Sequence, residues 1–143
     1  MDVSELRKRI LRSLDDARKD AAANRVAVDQ AAKMYEAFLN DVAAPLMRQA
    51  VQVLNATGEA FSVHTPAGSV RIVSDKSPQT FFEVELDTGG SRTAVIGRTS
   101  YVRGRRGAIV EEQPIARGKS VEQLTEQDLS ERLVAEIPKL VRL

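Results

Sequence analysis

The lone histidine and the serines nearest to it are the first candidates for chemistry. His64 lies near Ser62, Ser69 and Asp75, and these residue types can serve as general base, nucleophile and orienting carboxylate. The chain has no Gly-x-Ser-x-Gly turn to present the serine, and a serine, a histidine and an aspartate occur together in most chains. The simpler interpretation is a solvent-facing histidine on the polar side of a strand, so we predict no catalytic residue here.

Gly118, Lys119 and Ser120 are a second candidate, because a phosphate-binding loop ends in the same three residue types. That loop also needs a glycine five residues before its last glycine, so that backbone amides can surround the phosphates. The sequence has Gln113 and Pro114 in that region instead. We therefore expect an ordinary loop in which Ser120 caps the next helical turn, and we predict no cofactor.

Acidic residues alternate along one predicted strand at Glu83, Glu85 and Asp87, and Glu111 and Glu112 lie on another. A carboxylate site for a cation is conceivable, but the oxygen-ligand loop of calcium sites is missing, and the chain has one histidine and no cysteine. We interpret these carboxylates as the solvent face of a strand and predict no metal site.

Arginine is concentrated between Thr88 and Val110, an interval without acidic residues. Because arginine at a hairpin tip suits phosphate contacts and Tyr101 could stack on a base, a nucleic-acid-binding module that uses hairpin 98–107 is our alternative function. Scarce aromatic residues and a net charge of only +1 favour a solvated turn or a contact with an acidic partner surface. The arginines of the interval are Arg92, Arg98, Arg103, Arg105 and Arg106.

A long helix is predicted at the start of the chain. Residues 2–55 contain no glycine, and helix formers fill most of them. Apolar side chains recur about every 3.5 residues, the period of a helix that packs along another helix. The positions at this spacing are Val3, Arg7, Ile10, Leu14, Ala17, Ala21, Asn24, Val28, Ala31, Tyr35, Phe38 and Val42. We expect partner contacts at Ile10, Leu14, Ala21, Asn24, Val28, Tyr35, Phe38 and Val42.

Two features modify this helix. Alanines in the middle of the stripe make each contact weaker than in a leucine zipper, and Asn24 would fix the register at some cost in stability. Pro45 predicts a kink, because proline lacks the amide hydrogen and clashes with the preceding turn, and Gly58 ends the segment. The alternative is a helical hairpin that turns at Asn24 and Arg25, with its two halves packed on each other.

The rest of the chain changes from helical to alternating periodicity. Residues 59–118 read as an antiparallel meander of about five strands, and residues 120–143 as an amphipathic helix that covers the sheet. Together these patterns predict an α+β fold. Its parts are a long helical segment, 1–58, and a small sheet with a C-terminal helix, 59–143, which forms one compact unit with part of the first segment.

Composition narrows the predicted function. A chain of 143 residues fits one domain, and 21 basic residues nearly balance 20 acidic ones, so no strong overall field steers it to nucleic acid or to a membrane. Without an apolar run long enough for a signal peptide or a membrane span, we expect a cytoplasmic protein. We predict a non-enzymatic interaction or assembly protein that forms a homo-oligomer, or docks a helical protein partner, through its N-terminal helix.

Overall fold

The computed structural model describes residues 2–89 and 93–141 and has the α+β architecture that the sequence predicts. A long helical segment is followed by five antiparallel strands and a C-terminal helix. The elements are α1 (Val3–Phe38), a π-helical turn (Leu39–Ala43), α2 (Ala44–Ala56), β1 (Phe61–His64), β2 (Ser69–Ser74), β3 (Ser77–Asp87), β4 (Ala94–Val102), β5 (Ala108–Pro114) and α3 (Glu126–Leu140), with 3-10 turns at Gly104–Arg106 and Val121–Gln123.

The first helix is continuous. α1 passes through Asn24 and Arg25 without interruption, which excludes the helical hairpin that the sequence left open. Its start is fixed by Asp2, whose carboxylate accepts a hydrogen bond of 3.2 Å from the amide of Ser4.

The irregularity that Pro45 predicts takes the form of a π-helical turn and not of a break. The turn directly precedes the proline, and the amide of Ala44 donates to the carbonyl of Leu39, five residues earlier. A wider turn of this kind accommodates a residue that lacks an amide hydrogen and crowds the preceding carbonyl. The chain therefore continues from α1 into α2 in helical conformation as far as Ala56.

The strands form a meander in the order β1-β2-β3-β4-β5. Because side chains alternate between the two faces of a sheet, cross-strand partners share a face. Ile72, Phe82 and Thr99 are partners on the face that packs against the helices. The opposite face carries a polar row across all five strands, which runs His64, Arg71, Glu83, Arg98 and Glu112.

One hydrophobic core joins the first helical segment to the sheet. It contains Tyr35 and Phe38 of α1, Met47 of α2, Phe82 of β3 and Leu129 of α3. Gly58 therefore marks the boundary between helix and sheet along the chain, but the segments on its two sides share one hydrophobic core. By contrast, residues 2–27 of the same helical segment are all exposed.

α3 is fastened to the sheet by a buried polar cluster. Glu136 is 3% exposed and accepts a hydrogen bond of 3.2 Å from Thr99 of β4. Lys139 Nζ lies 2.9 Å from Glu136 and 2.7 Å from Glu111 of β5. The hydrogen bond to Glu111 raises the pKa of Lys139 and lowers that of Glu111. These contacts hold the C-terminal helix against β4 and β5.

Candidate functional site

The N-terminal end of α1 exposes an unusual amount of apolar surface. Five large apolar side chains within residues 3–14 leave between 45% and 80% of their surface in solvent. Helices of globular proteins bury such a face against the core, and contiguous exposed patches of this kind mark interaction sites. We call this surface the N-terminal stripe and define it as Val3, Leu6, Ile10, Leu11, Leu14, Ala17 and Ala21.

The N-terminal stripe continues along the helix into the core of the same chain. At about 3.6 residues per turn, Ile10 and Leu14 lie on the side of α1 that farther on carries Ala31, Tyr35 and Phe38. Those last three side chains are buried against the sheet. One apolar face of α1 is therefore buried against the sheet at one end and exposed to solvent at the other.

This division corrects the predicted contact stripe. Tyr35 is 5% exposed and Phe38 is 7% exposed, and both belong to the core of their own chain. Val42 lies in the π-helical turn and packs against that core as well. Helical periodicity predicts that a face is buried, but it does not indicate whether that face packs against the same chain or against another.

The predicted contact residues nearer the N-terminus remain accessible. Ile10, Leu14, Ala21 and Asn24 are exposed, and Val28 is the first partly buried residue along α1. Near that point α1 passes the 3-10 turn Val121–Gln123. The part of the helix before Asn24 therefore projects from the sheet domain.

Two residues of the N-terminal stripe were missed in the sequence. Leu6 and Leu11 are 46% and 54% exposed and flank the predicted seam, whose strict alternation of three and four residues picks Arg7 between them. Together with Val3, Arg7 and Ile10 they line a shallow depression on the helix surface. A wider helical window around Ile10 would have detected them, because four of the nine residues from Val3 to Leu11 are apolar.

Charge is unevenly distributed along the projecting helix. Residues 7–12 contain four basic side chains and no acidic one, whereas residues 15–20 contain three aspartates and two basic side chains. Neighbouring turns are linked by exposed pairs, Arg9 with Glu5 at 3.2 Å and Lys19 with Asp15 at 3.1 Å. Such exposed pairs contribute little to stability, about 0.3–0.5 kcal/mol each. The gradient from basic to acidic is a property that a partner surface can recognise.

Of the predicted phosphate contacts, Arg98 is paired with carboxylates of its own chain. It lies within β4, and its guanidinium contacts Glu112 at 2.8 Å, Glu83 at 3.5 Å and also Glu85. The hydrogen bond to Glu112 raises the pKa of Arg98. All three nitrogens of this guanidinium thus contact carboxylates of the same chain, which disfavours a contact with phosphate.

The other three described arginines of the interval form the β4–β5 connection. Arg103, Arg105 and Arg106 are all exposed around the 3-10 turn Gly104–Arg106. We call these three the arginine tip. Tyr101 is only 5% exposed and donates a hydrogen bond of 2.9 Å to Glu111, so it is not placed to stack on a base. Arg92 lies outside the described residues.

Glu83 is buried, contrary to the solvent-facing strand that the alternating carboxylates predict. Its side chain is 5% exposed, 2.9 Å from Arg71 and 3.5 Å from Arg98. The sequence spaces these three residues far apart, and only the strand register brings them into one row. Burial raises the pKa of the neighbouring Glu85. The acidic face of β3 is thus a paired network and not an open cation site.

The predicted serine–histidine arrangement does not assemble. Ser62 donates to Asp75 at 2.5 Å, and Ser69 donates to Glu83 at 3.3 Å. The side chain of His64 is exposed and makes no hydrogen bond or ion pair with the residues that the structure describes. A general base must be within hydrogen-bond reach of the nucleophile, and here both serines are bound to carboxylates.

The Gly-Lys-Ser loop has the structural role expected for it. Ser120 caps the 3-10 turn Val121–Gln123, and its backbone amide donates a hydrogen bond of 3.0 Å to Gln123 Oε1. Lys119 Nζ lies 2.8 Å from Asp128 at the start of α3. The lysine is therefore engaged by a carboxylate within the same chain.

An open groove lies between α1, α2 and the β1–β2 turn. It has a volume of about 770 Å³, and Tyr35, Arg48 and Glu85 are among its lining residues. Tyr35 donates to the carbonyls of Gly68 and Val84 at 2.6 and 3.2 Å. Among the described residues, no group of three or more histidine or acidic side chains is placed to hold a metal ion.

In the described part of the chain, no helix combines the length and the apolar character needed to cross a membrane. No protein-family model, curated protein or solved structure matches the sequence. The N-terminal stripe is the described feature that most departs from what a solitary folded domain requires.

Proposed function

We propose that this protein acts by association, with the N-terminal stripe of α1 as its docking surface and without covalent chemistry. The observation that supports this proposal is the continuity of one apolar face, buried at Tyr35 and Phe38 and exposed at Ile10 and Leu14. Most helical stability in proteins comes from packing of an apolar face, and the projecting turns of α1 lack that packing. A partner that covers the stripe would stabilise the projecting turns. We place this activity in the cytoplasm.

The partner that suits such a surface is another amphipathic helix. The large side chains of the stripe lie towards the N-terminus, and its end nearer the sheet domain carries Ala17 and Ala21, which allow two helix backbones to approach closely. Either a second copy of this chain or a helical segment of another protein has this chemistry.

The test compares an Ile10→Glu/Leu14→Glu variant with a control that carries Val26→Glu/Met34→Glu. Val26 and Met34 are exposed apolar residues of the same helix, 58% and 39% accessible, but helical spacing places them away from the stripe. Sedimentation of the full chain measures self-association, and cross-linking in extract of the source cells measures docking to other proteins. We expect the stripe variant to lose association and the control to keep it.

Equal behaviour of the two variants in both assays would show that the stripe is not a docking surface. The magnitude expected for the milder change Ile10→Ala/Leu14→Ala follows from burial. Each side chain is about half exposed, so covering the remainder stabilises by about 1 kcal/mol per side chain. In a dimer four such side chains are lost, which weakens association by about 4 kcal/mol, or roughly a thousandfold in Kd.

The arginine tip supports a second candidate function. Three exposed arginines on a short turn suit contacts with a nucleic-acid backbone. Replacing all three by alanine should abolish salt-sensitive binding to a mixed-sequence DNA duplex or single strand, if the tip binds phosphate. Binding that survives this triple change, or no binding by the unaltered chain at low salt, would remove this candidate.

A further inference from the structure

We infer that this protein forms a dimer in which β5 of one copy pairs antiparallel with β5 of a second copy, so that the two five-stranded sheets become one. This inference rests on the association function proposed above and adds the partner and a second contact, which lies on the sheet and not on the helix. Three features favour this arrangement, namely the contrast between the two edges of the sheet, the order of residues in β5 and the direction in which α1 leaves the sheet.

The β1 edge of the sheet is largely closed by a side chain. The amide of Asp75 donates to the carbonyl of Ala60 at 2.9 Å. Because hydrogen-bonded pairs alternate along an antiparallel ladder, the backbone groups of Phe61 and Val63 point away from β2. Asn55 of α2 takes the place of a neighbouring strand at Phe61. Its side-chain amide accepts from the amide of Phe61 at 2.8 Å and donates to the carbonyl of Phe61 at 3.2 Å.

The β5 edge has no such cover in the part of the chain that the structure describes. The amide of Ile115 donates to the carbonyl of Val95 at 3.0 Å, so by the same alternation every second residue of β5 points its backbone groups away from β4. These outward-facing residues are Ala108, Val110, Glu112 and Pro114. All four are exposed, and among the described residues nothing hydrogen-bonds to the backbone of the first three. Pro114 lacks an amide hydrogen and ends the open row.

Charge does not protect this edge, because both of its acidic side chains are already paired. Natural edge strands avoid joining other strands by carrying bare charges, lysine above all. In β5, Glu111 contacts Lys139 at 2.7 Å and Glu112 contacts Arg98 at 2.8 Å, and the strand contains no lysine. The side chain in the middle of the open row is Val110, which is 55% exposed. β5 is therefore an open edge with an apolar centre.

The residue order of β5 suits a reversed copy of the same strand. When Val110 of one copy faces Val110 of the other, Ala108 faces Glu112. The three outward-facing residues of each copy then exchange about six backbone hydrogen bonds. On the other face of the sheet Ile109 meets Glu111, so no charge lies directly opposite a like charge.

Neighbouring registers of the same pair are less favourable. A shift towards the C-terminal end would place Glu111 opposite Glu111 and would require an amide hydrogen from Pro114, which has none. A shift towards the N-terminal end would extend the pairing into the 3-10 turn Gly104–Arg106, whose backbone is not extended. The register centred on Val110 therefore uses the whole open row and nothing beyond it.

In this register the arginine tip of one copy lies beside the acidic end of β5 of the other copy. Glu112 faces Ala108, and Arg106 lies two residues farther along the same strand. Diagonal neighbours of this kind are about 7–8 Å apart, within reach of long side chains. Glu112 contacts Arg98 through Oε1, and its side chain is still 51% exposed, so Oε2 is placed to accept from the tip. A second copy thus supplies both the extended strand and the cations that complement it.

α1 leaves the sheet domain on the β5 side. The hydroxyl of Tyr35 bonds to the carbonyl of Gly68, just before β2, whereas Asn24 lines a depression shared with Pro114 of β5. From Tyr35 to Asn24 the helix rises by about 16 Å, which corresponds to about three strand spacings. Residues 3–21 therefore extend for about 28 Å past the open edge. A copy paired along β5 lies beside the N-terminal stripe, so the open edge and the exposed stripe face the same neighbour.

Charge exchange at Val110 in the full chain tests both the partner and the register. Val110→Lys and Val110→Glu each place two like charges at the centre of the interface and keep the backbone amide. We expect each variant alone to self-associate roughly tenfold more weakly in sedimentation, and an equimolar mixture of the two to recover the unaltered affinity as a mixed dimer. Circular dichroism should be the same for all chains, because residue 110 is exposed.

Val53→Lys is the matched control. Val53 is a valine of similar exposure, 64%, on α2, and α2 packs against β1 at the opposite edge of the sheet. The control should sediment like the unaltered chain.

The outcomes separate this inference from the proposed function. An unaltered chain that sediments as a monomer at high concentration would overturn the dimer, even if the extract assay still detects docking through the N-terminal stripe. A mixture that associates no better than its two components would also overturn it, because only a copy centred on Val110 brings the lysine and the glutamate together. Recovery in the mixture would support the dimer, and it would do so even if Ile10→Glu/Leu14→Glu behaved like its control in both assays, a result that removes the proposed function of the stripe.

Discussion

Replacing Tyr35 by Phe tests how the projecting helix is anchored to the sheet domain. The substitution removes only the hydroxyl, which donates to the carbonyls of Gly68 at 2.6 Å and Val84 at 3.2 Å. Tyr35 thereby ties α1 both to the β1–β2 turn and to β3. The ring itself is buried and remains in the variant, so any change in stability comes from the hydrogen bonds.

The expected loss is about 2 kcal/mol. A hydrogen bond between uncharged groups contributes about 1 kcal/mol net, and leaving a buried carbonyl without its donor adds a desolvation cost of similar size. For a chain of this length, 1 kcal/mol lowers Tm by roughly 2–4 °C, so we expect Tm to fall by about 4–8 °C. Urea unfolding followed by circular dichroism should give a lower midpoint with the same slope. Protein concentration must be equal in all samples, because association shifts apparent stability.

Alkaline pH gives a second and independent readout of the same residue. Burial, followed by the charges of Glu85 and Glu83, raises the pKa of Tyr35 above its ordinary value of about 10. Because the folded state holds this proton more tightly than the unfolded state, the stabilisation is fully present below pH 10. It is lost as pH rises from about 10 through the folded pKa. The Phe variant should therefore lose less stability above pH 10 than the unaltered protein.

Tyr101→Phe is the matched control for the thermal and urea measurements. Its hydroxyl donates to Glu111, and Glu111 keeps its contact with Lys139 at 2.7 Å when that donor is removed. We expect a smaller fall in Tm than for Tyr35→Phe. Equal losses in the two variants, or an unchanged alkaline slope in Tyr35→Phe, would refute the anchoring role of Tyr35.

Three further predictions concern the sheet. In Gly97→Ala the new Cβ would lie 2.9 Å from the Phe82 ring, so urea unfolding should show that the free energy of unfolding falls by about 1–3 kcal/mol. The control Gly89→Ala should lower it by less than about 0.5 kcal/mol. Arg98→Met leaves the buried Glu83 with one cation instead of two. Calorimetry should show that the free energy of unfolding falls by roughly 1–3 kcal/mol, a reduced figure because the arginine is 30% exposed and solvent screens its charge. Alanine at all three positions of the arginine tip should leave unfolding stability within about 0.5 kcal/mol of the unaltered chain.

Local patterns in the sequence were sufficient for the elements of the fold. Alternation at Phe82, Val84 and Leu86 predicted the central strand, and the turn at Thr65–Gly68 predicted the first hairpin, because these signals depend on neighbours within a few residues. The structure extends that central strand back to Ser77. The N-cap at Thr125 was equally local and is confirmed by its bond from the amide of Asp128 at 3.2 Å.

Features that depend on distant residues could not be predicted. Glu83 is separated from Arg98 by a turn and most of a strand, and its burial follows from a register that periodicity does not specify. Tyr35 was assigned to a partner contact because its spacing fits the seam, yet its hydroxyl bonds to residues on β3 and the β1–β2 turn. In both cases the sequence pattern identified the strand or helix that carries the residue, but it did not identify the groups that the side chain contacts.

The boundary near Asn24 connects stability to association. Beyond this point α1 has the sheet as support, whereas residues 3–21 have only their own hydrogen bonds and a few exposed ion pairs. Helical structure without tertiary packing opens readily, so these amides should exchange hydrogen faster than those near Phe38 when the stripe is uncovered. Because a partner that binds only the helical form lowers the population of the frayed state, association and helix formation are linked. Protection of residues 3–21 that rises with protein concentration, while protection near Phe38 stays constant, is the signature expected for a second copy as that partner.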